Sequence, residues 1–321
     1  MSDDGTPVCP HPGPEVSVVL IFRDEERFLP EAVASVEAQT GVSWELLLVD
    51  DGSADASSAW ARARAAATTA DGETGWADGY PRITYLEHPG HANRGMSASR
   101  NLGIGHAAGR WVTFLDADDT WLPGKLAAQV ATLAETPEVD VLVSPALWWH
   151  RWEPGGSGRR ADWVQHLEVE RSERGVVPPP ALLERFLHDE WASICDLVIS
   201  ADALRRVGGY EEAFRGMYED QVFHAKVFSQ LPAVVTNRWW YRYRQHDSAC
   251  TTLAHRLGGH RRARLRFLAW LDRYLRSFPQ AAAADARRLR AEVRAERRSL
   301  RLSQLSPLAR FRAGGGAGAG P

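Results

Sequence analysis

Asp116-Ala117-Asp118 directly follows the apolar run Trp111-Val112-Thr113-Phe114-Leu115. Two carboxylates one residue apart at the C-terminal end of a buried strand can hold a hard divalent cation, which in turn can bridge the oxygens of a diphosphate. Turns and helix N-caps use the same Asp-x-Asp pattern, so the weight rests on what accompanies it. Two further polar clusters, Arg23-Asp24-Glu25-Glu26 and Asp50-Asp51-Gly52-Ser53, also follow apolar runs. Singly, Asp51 or Ser53 reads as an N-cap, and Asp24 to Glu26 as favourable charge near a helix N-terminus. Three acidic strand ends in one crevice are more than capping requires. Such a crevice would repel a diphosphate unless a cation stood between them, so Mg2+ or Mn2+ is the cofactor expected for a nucleotide ligand.

The elements that must position these clusters alternate regularly. Val16 to Phe22 is nearly continuous in apolar residues, as a strand covered on both faces should be. A helical stripe follows from Arg27 to Ala38 through Phe28, Leu29, Val33 and Val36. The pattern then predicts strands at Trp44–Val49, Ile83–Leu86 and Trp111–Leu115, and helices at Ala54–Ala67 and Ser97–Ala107, with Asp71–Pro81 as a loop between units. This alternation predicts an α/β fold with a mainly parallel central sheet, right-handed crossovers and a site outside the C-terminal ends of the strands.

A chain of 321 residues with 44% hydrophobic residues and 13 Trp can fill a sizeable core. Cys9, Cys195 and Cys250 lack metal or redox spacing, so neither a disulfide framework nor a zinc site is expected. Met1 to Pro14 has no apolar stretch, and no run of about 18 apolar residues occurs anywhere; a cytoplasmic protein is expected. The net charge of −3 hides an asymmetry, because sixteen arginines after Cys250 face only Asp272, Asp285, Glu292 and Glu296. Lysine occurs only at Lys125 and Lys226, a preference that carries no functional reading.

Taken as an ordered set, the motifs resemble glycosyltransferase family 2. They are Val18 to Phe22 with Arg23-Asp24-Glu25, Val49-Asp50-Asp51-Gly52-Ser53-Ala54-Asp55, Asn93-Arg94-Gly95 leading into Ser99-Arg100-Asn101-Leu102-Gly103, and Phe114 to Asp119. Val207-Gly208-Gly209-Tyr210 and Tyr218-Glu219-Asp220 resemble the family's acceptor-side segment, and Tyr243-Arg244-Gln245-His246-Asp247-Ser248 its closing histidine segment. The resemblance covers Val16 to Cys250.

It implies a GT-A fold, a nucleotide-sugar donor, a divalent metal and inversion at the anomeric carbon. Carried over by position, Asp51 would accept from the donor base, with Phe22, Asp24, Glu25 and Ser53 in the same pocket. Asp116 and Ala117 would face the ribose or the metal shell, Asp118 would bind the metal, and His246 would complete the metal or diphosphate site. Arg94, Arg100 and Asn101 fall in the donor segment, with either arginine a candidate for the diphosphate. Asp220, beside Glu219, is the candidate general base, because an inverting transfer needs a carboxylate on the acceptor side; the competing reading is a pair of acids stabilising a helix N-terminus.

The chain is expected to divide into a flexible N-terminus (1–14), a nucleotide-sugar half (15–145), an acceptor half (146–250), an arginine-rich helical region (251–313) and a disordered tail (314–321). Leu268, Leu271, Leu275 and Phe278 predict a helix over Leu265–Phe278, and Ala281–Leu302 a second one. These helices are expected to pack on the catalytic domain, and their basic face could dock on an anionic membrane surface at the inner face of the membrane. No nucleic-acid-binding module is recognisable. Trp148, Trp149, Trp152 and Trp163 could stack on sugar faces, although core packing is the commoner use of such residues. The Gln-x-x-Arg-Trp box of processive synthases is absent, so one sugar per encounter is expected. The expected activity is transfer from a nucleotide-diphosphate sugar, a UDP-sugar before others, to a hydroxyl in glycan, cell-surface polysaccharide or glycosylated-metabolite synthesis. The alternatives are transfer to a polyprenyl phosphate and, from another class, a non-catalytic sugar-nucleotide-binding scaffold. An oxidoreductase reading fails because no Gly-x-Gly-x-x-Gly follows the first strand.

Overall fold

Every residue of Val16–Phe22 (β1) and of Trp44–Asp50 (β2) is buried, the burial expected of parallel strands covered on both faces. The computed structural model describes residues 13–70, 82–153, 160–188, 190, 192–249, 252, 256, 258–277 and 283–302. The expected loop Asp71–Pro81, Cys9, Cys250, Phe278, the start of the second basic helix at Ala281, and the tail 314–321 lie outside these residues.

The strands Ile83–Glu87 (β3) and Trp111–Asp116 (β4) complete a parallel group with β1 and β2. Its crossovers carry the helices Leu29–Glu37 (α1), Ser57–Ala70 (α2) and Met96–His106 (α3). Lys125–Glu135 (α4) follows the short strand Thr120–Trp121 (β5). The later strands are Val141–Val143 (β6), Ala146–Trp149 (β7), Trp163–Gln165 (β8), Val176–Val177 (β9), Leu197–Ser200 (β10), Ala233–Val235 (β11) and Tyr241–Arg244 (β12). Between and after them lie the helices Ala181–Leu187 (α5), Ala201–Val207 (α6), Glu219–Phe228 (α7), His260–Tyr274 (α8) and Ala283–Leu302 (α9).

The main sheet has eight strands in the order β3-β2-β1-β4-β10-β6-β11-β9. It is parallel from β3 to β4, but β10 inserts antiparallel between β4 and β6. The predicted parallel character therefore holds for the first half, and the second half of the chain completes the same sheet. A second sheet, β5-β12-β7-β8, takes β5 from the first half and the other three strands from the second.

Two polar side chains buried in the main sheet, Ser17 and Glu45, are matched to each other. Ser17 Oγ donates to Glu45 Oε1 at 2.5 Å, and the same carboxylate accepts from Ala108 N at 2.7 Å. Gly109 N donates to Ser17 Oγ at 2.8 Å. A Cβ at Gly109 would stand 2.6 Å from Ser17 N, so the turn before β4 needs a glycine to reach β1.

The arginine-rich region packs on this body. Phe267, Leu268, Leu271 and Leu275 are buried, as are Leu289 and Val293 on α9. The first of these helices begins at His260, five residues before the predicted start, and ends in a short 3-10 turn at Leu275–Ser277. Asp272, 4% exposed at its side chain, accepts from Arg276 at 3.0 Å, Arg290 at 3.1 Å and Arg294 at 3.2 Å. One carboxylate thus joins both helices.

Candidate active site

The C-terminal ends of β1, β2 and β4 open on a cavity of about 710 Å3. Phe22, Glu25, Asp51, Arg100, Asp116, Ala117, Asp118, Glu219 and Asp220 line it, so nine of the residues singled out from the sequence come together. Asp24, Ser53, Arg94, Asn101 and His246 are not on its wall.

The loop after β2 is braced from below. Asp50 accepts from Ser53 N at 2.9 Å, Ser53 Oγ at 2.8 Å and Tyr85 OH at 3.0 Å. Ser53 Oγ in turn accepts from Asp24 N at 3.1 Å. Asp24 Oδ1 accepts from Ala54 N at 2.6 Å and Glu26 Oε2 from Ala56 N at 3.1 Å, so these acids satisfy backbone donors leading into α2. Asp51 faces the cavity, yet its carboxylate accepts from Arg94 N at 2.7 Å, Gly95 N at 2.9 and 3.0 Å and Asn93 Nδ2 at 3.1 Å. Those four contacts match the acceptor capacity of a carboxylate, so Asp51 holds the loop 93–95 against β2. Arg94 enters this set through its backbone.

Arg100, 1% exposed, joins the two halves of the site. It donates to Asp116 Oδ1 at 2.7 Å and to Glu219 Oε1 at 2.8 Å. Each terminal nitrogen of the guanidinium binds one carboxylate, so Arg100 orders the acids on the cavity wall. Asn101, one residue on, accepts from Tyr210 N at 2.8 Å and donates to Tyr210 O at 3.0 Å, fixing the loop before α7.

Asp118 and His246 are paired. His246 Nε2 lies 3.0 Å from Asp118 Oδ2 and its Nδ1 lies 2.8 Å from Ser248 Oγ. Beside them Arg244 donates to Asp118 O at 2.6 Å and to Glu31 at 2.6 Å, with its guanidinium between Phe28, Trp149 and Trp152 at 4.7 to 4.9 Å. Asp119 is buried, accepting from Tyr241 OH and from Arg244 N at 2.7 Å. Burial, with Asp118 and Asp116 nearby, pushes its carboxyl well above the usual range. Arg244, Tyr241 and Asp119 were not among the predicted site residues. The alternation Tyr241-Arg242-Tyr243-Arg244 is the signal that could have found the first two, since period 2 sends the tyrosines to one face and the arginines to the other, and Asp119 directly follows Asp116-Ala117-Asp118.

Asp220 sits in the first turn of α7, where its Oδ1 accepts from Gln221 N at 2.7 Å. Burial first, then the charge of Glu219, pushes its carboxyl up to about 7, against the opposing pull of Arg100. Glu25 is pushed up to about 8 by burial and by the charges of Asp118, Asp55, Asp116 and Asp24. Both shifts report a crowded, partly desolvated set of acids.

The donor set suits a hard cation. Asp116 Oδ2 and Asp118 Oδ1 have no hydrogen-bond donor among the described residues, and both carboxylates line the cavity. His246 Nε2 contacts Asp118 Oδ2 from behind the cavity wall. A second grouping, Asp116, Asp119 and Cys195, brings ligand atoms within 4.8 Å of one another. Asp119 is already committed there, and burial pushes the Cys195 thiol well above its ordinary pKa, so oxygen ligands from Asp116 and Asp118 fit best.

Residues 17–162 match the family model described as glycosyl transferase family 2. The chain thus carries a family 2 glycosyltransferase domain, built on the GT-A fold. The uncharacterized glycosyltransferase YibD of Escherichia coli is 27% identical over 253 residues, 76% of this chain and 65% of YibD, just under two thirds of its length. Two solved structures share the fold at 16% identity. S. aureus TarS 1-349 in complex with UDP has a TM-score of 0.55, covering 80% of this chain and 65% of that one. The mannosyltransferase PcManGT from Pyrobaculum calidifontis in complex with GDP-Man and Mn2+ has a TM-score of 0.57, covering 99% and 81%. No helix among the described residues is long and apolar enough to cross a membrane.

Proposed function

We propose that this glycosyltransferase is inverting, metal-dependent and non-processive, passing one sugar per encounter from a nucleotide-diphosphate donor, a UDP-sugar before others, to an acceptor hydroxyl. The observation that carries the reading is one cavity holding two kinds of acid: the strand-end pair Asp116 and Asp118, and the separately supplied Asp220, pushed up to about 7. The bound UDP of TarS and the GDP-Man and Mn2+ of PcManGT support a nucleotide donor and a metal.

Asp116 and Asp118, with His246 behind Asp118, are the residues that would hold Mn2+ or Mg2+. The ion would neutralise charge developing on the leaving diphosphate. Asp220 takes the proton of the acceptor hydroxyl as that oxygen attacks the anomeric carbon from the face opposite the diphosphate. Arg100 keeps Asp116 and Glu219 in place while its charge favours the ionised form of Asp220. Asp51 shapes the donor pocket through the loop 93–95, with Phe22 and Glu25 on the same wall.

The exposed arginines 262, 273, 287, 298 and 301 of α8 and α9 support a peripheral contact with an anionic cytoplasmic membrane face. Vesicles of anionic lipid at low salt should retain the protein; equal retention by neutral vesicles would refute the contact.

A thermal-shift titration with UDP, GDP, dTDP and CDP, each with and without Mn2+, tests the donor site. A ligand at about 100 Kd adds about 2.7 kcal/mol to stability. One nucleotide should stabilise the protein only with metal, and Asp118→Ala should remove the effect. Absence of any metal-dependent response would favour the non-catalytic scaffold. Turnover of a polyprenyl phosphate alone, undiminished by Asp220→Asn, would favour the lipid-phosphate acceptor.

A further inference from the structure

The second sheet presents a row of aromatic rings. Tyr241 and Tyr243 lie two residues apart on β12 and share a face. Tyr243 is in register with Trp148 of β7, and Trp148 with Trp163 of β8. Neighbouring rings touch in that order. Tyr241 and Tyr243 stack with centroids 6.2 Å apart, Tyr243 meets Trp148 edge-on at 5.0 Å, and Trp148 stacks on Trp163 at 5.0 Å and 17°.

The row runs from the acids to the surface. Tyr241 is 1% exposed and donates to Asp119, next to Asp118. Tyr241, Tyr243 and Trp148 line the same cavity as Asp220. Trp163 is 47% exposed; among the described residues the only other large hydrophobic side chain so exposed is Leu302, at the end of α9. Trp149 and Trp152 are differently employed, packed around Arg244. Core packing accounts for those two and leaves the open indole of Trp163 unexplained.

We propose that this row is the binding track for an oligosaccharide acceptor, a deepening that rests on the glycosyltransferase reading above. A pyranose ring offers an apolar C–H face and hydroxyls around its edge, so it stacks on an aromatic face while the edge keeps its hydrogen bonds. Trp148 Nε1 donates to Gln165 Oε1 at 2.7 Å, which fixes the indole and satisfies its polar atom. Gln245 supplies a further polar group on the cavity wall. A purely apolar lipid chain would gain nothing from these amides.

Strand spacing of about 4.8 Å places Tyr243 and Trp163 about 10 Å apart across the sheet, a span of about two sugar rings. The terminal ring enters the cavity within reach of Asp220, and the ring behind it rests on the exposed indole of Trp163, which Trp148 backs.

The test uses the full chain and a panel of gluco-, galacto- and manno-oligosaccharides of one to four residues. Binding is read from tryptophan fluorescence without donor, and transfer from UDP-sugar turnover. At least one oligosaccharide should bind about tenfold tighter than its monosaccharide, and Trp163→Ala should remove that gain. Trp163→Phe should restore most of it, and metal-dependent UDP binding should be unchanged in both variants. The proposal is overturned if no oligosaccharide binds the wild type, if Trp163→Ala binds as tightly, or if only a short polyprenyl phosphate shows dependence on Trp163. Saccharide binding is measured without nucleotide, so its failure is separable from failure of the donor site.

Discussion

Replacing Asp220 by Asn keeps the shape of the side chain and its acceptance from Gln221 N, but removes the negative charge and the ability to take a proton. Loss of a positioned general base lowers the rate by about 10² to 10⁴, or about 3 to 5 kcal/mol of transition-state stabilisation. The wild-type carboxyl is pushed up to about 7 by burial and Glu219, and the carboxylate is the active form. kcat/KM should therefore fall about tenfold per unit as pH drops below about 7. The variant should lose that limb along with most of the rate. Stability moves oppositely. A carboxyl at about 7 in the folded state and 3.8 as the reference binds more protons folded than unfolded between those values. Its contribution is fully present below pH 3.8 and is lost as pH rises through about 7. The loss has a ceiling on the order of 4 kcal/mol. Asp220→Asn escapes it, so at pH 8 the variant should melt higher than the wild type while turning over donor far more slowly. The assay is nucleotide release from a nucleotide sugar between pH 5 and 9, with melting curves on the same buffers. A variant retaining a tenth or more of the rate, or keeping the acid limb, would refute the assignment of the base.

Lys125 and Asp196 form a fully buried pair 4.0 Å apart, with burial pulling Lys125 down to about 8 and pushing Asp196 up to about 8. Lys125→Met should cost about 1 to 3 kcal/mol by leaving the buried Asp196 carboxyl, already pushed towards its neutral form, without the cation beside it; urea melts check this, and Lys125→Met/Asp196→Leu should recover most of it. Gly109→Ala forces a Cβ against the backbone of Ser17 and should destabilise by about 1 to 3 kcal/mol, visible as a lower Tm with unchanged nucleotide specificity. For Asp272, burial favours the neutral form, but hydrogen bonds from Arg276 and Arg290 and the charge of Arg294 prevail and hold its carboxyl below the usual carboxylate range. That contribution is present above about pH 4 and lost on acidification through the depressed pKa. Asp272→Asn at pH 7 should likewise loosen α9, and limited proteolysis should cut the variant first near that helix.

β1, β2 and β4 were legible because each is an apolar run buried on both faces, and an acidic cluster ends each of them. What was not legible depends on short or distant partners. Leu197–Ser200 is four residues long, and nothing local announces that it enters antiparallel beside β4. The second sheet joins Thr120–Trp121 to a strand more than a hundred residues later, a pairing invisible to any local window. Among the candidate residues, Asp116, Asp118 and Asp220 were singled out from the sequence and line one cavity, whereas their partners were not legible. Arg100 was read as a candidate for the diphosphate, and its pairing with Asp116 and Glu219 was not visible in the sequence. Asp24 looked like part of the pocket and instead receives Ala54 N. The four tryptophans were read together, but they divide between packing around Arg244 and the exposed row, a split set by the strand register.

Tyr218, immediately before Glu219 and Asp220, has a φ of 72°, a left-handed conformation that is uncommon for a bulky residue. Its ring stacks on Phe267 of α8 at 5.4 Å and its hydroxyl lies 2.9 Å from His260 Nε2. His260 itself lines the cavity. Tyr218 is therefore clamped by α8, which acts as a jig for the turn that carries Asp220. A chain cut after residue 250 would keep every acid that lines the cavity and lose the part that braces Tyr218. Sequence drift in α8, far from any recognisable motif, is thus a route by which the setting of Asp220 can change while the strand-end acids stay fixed.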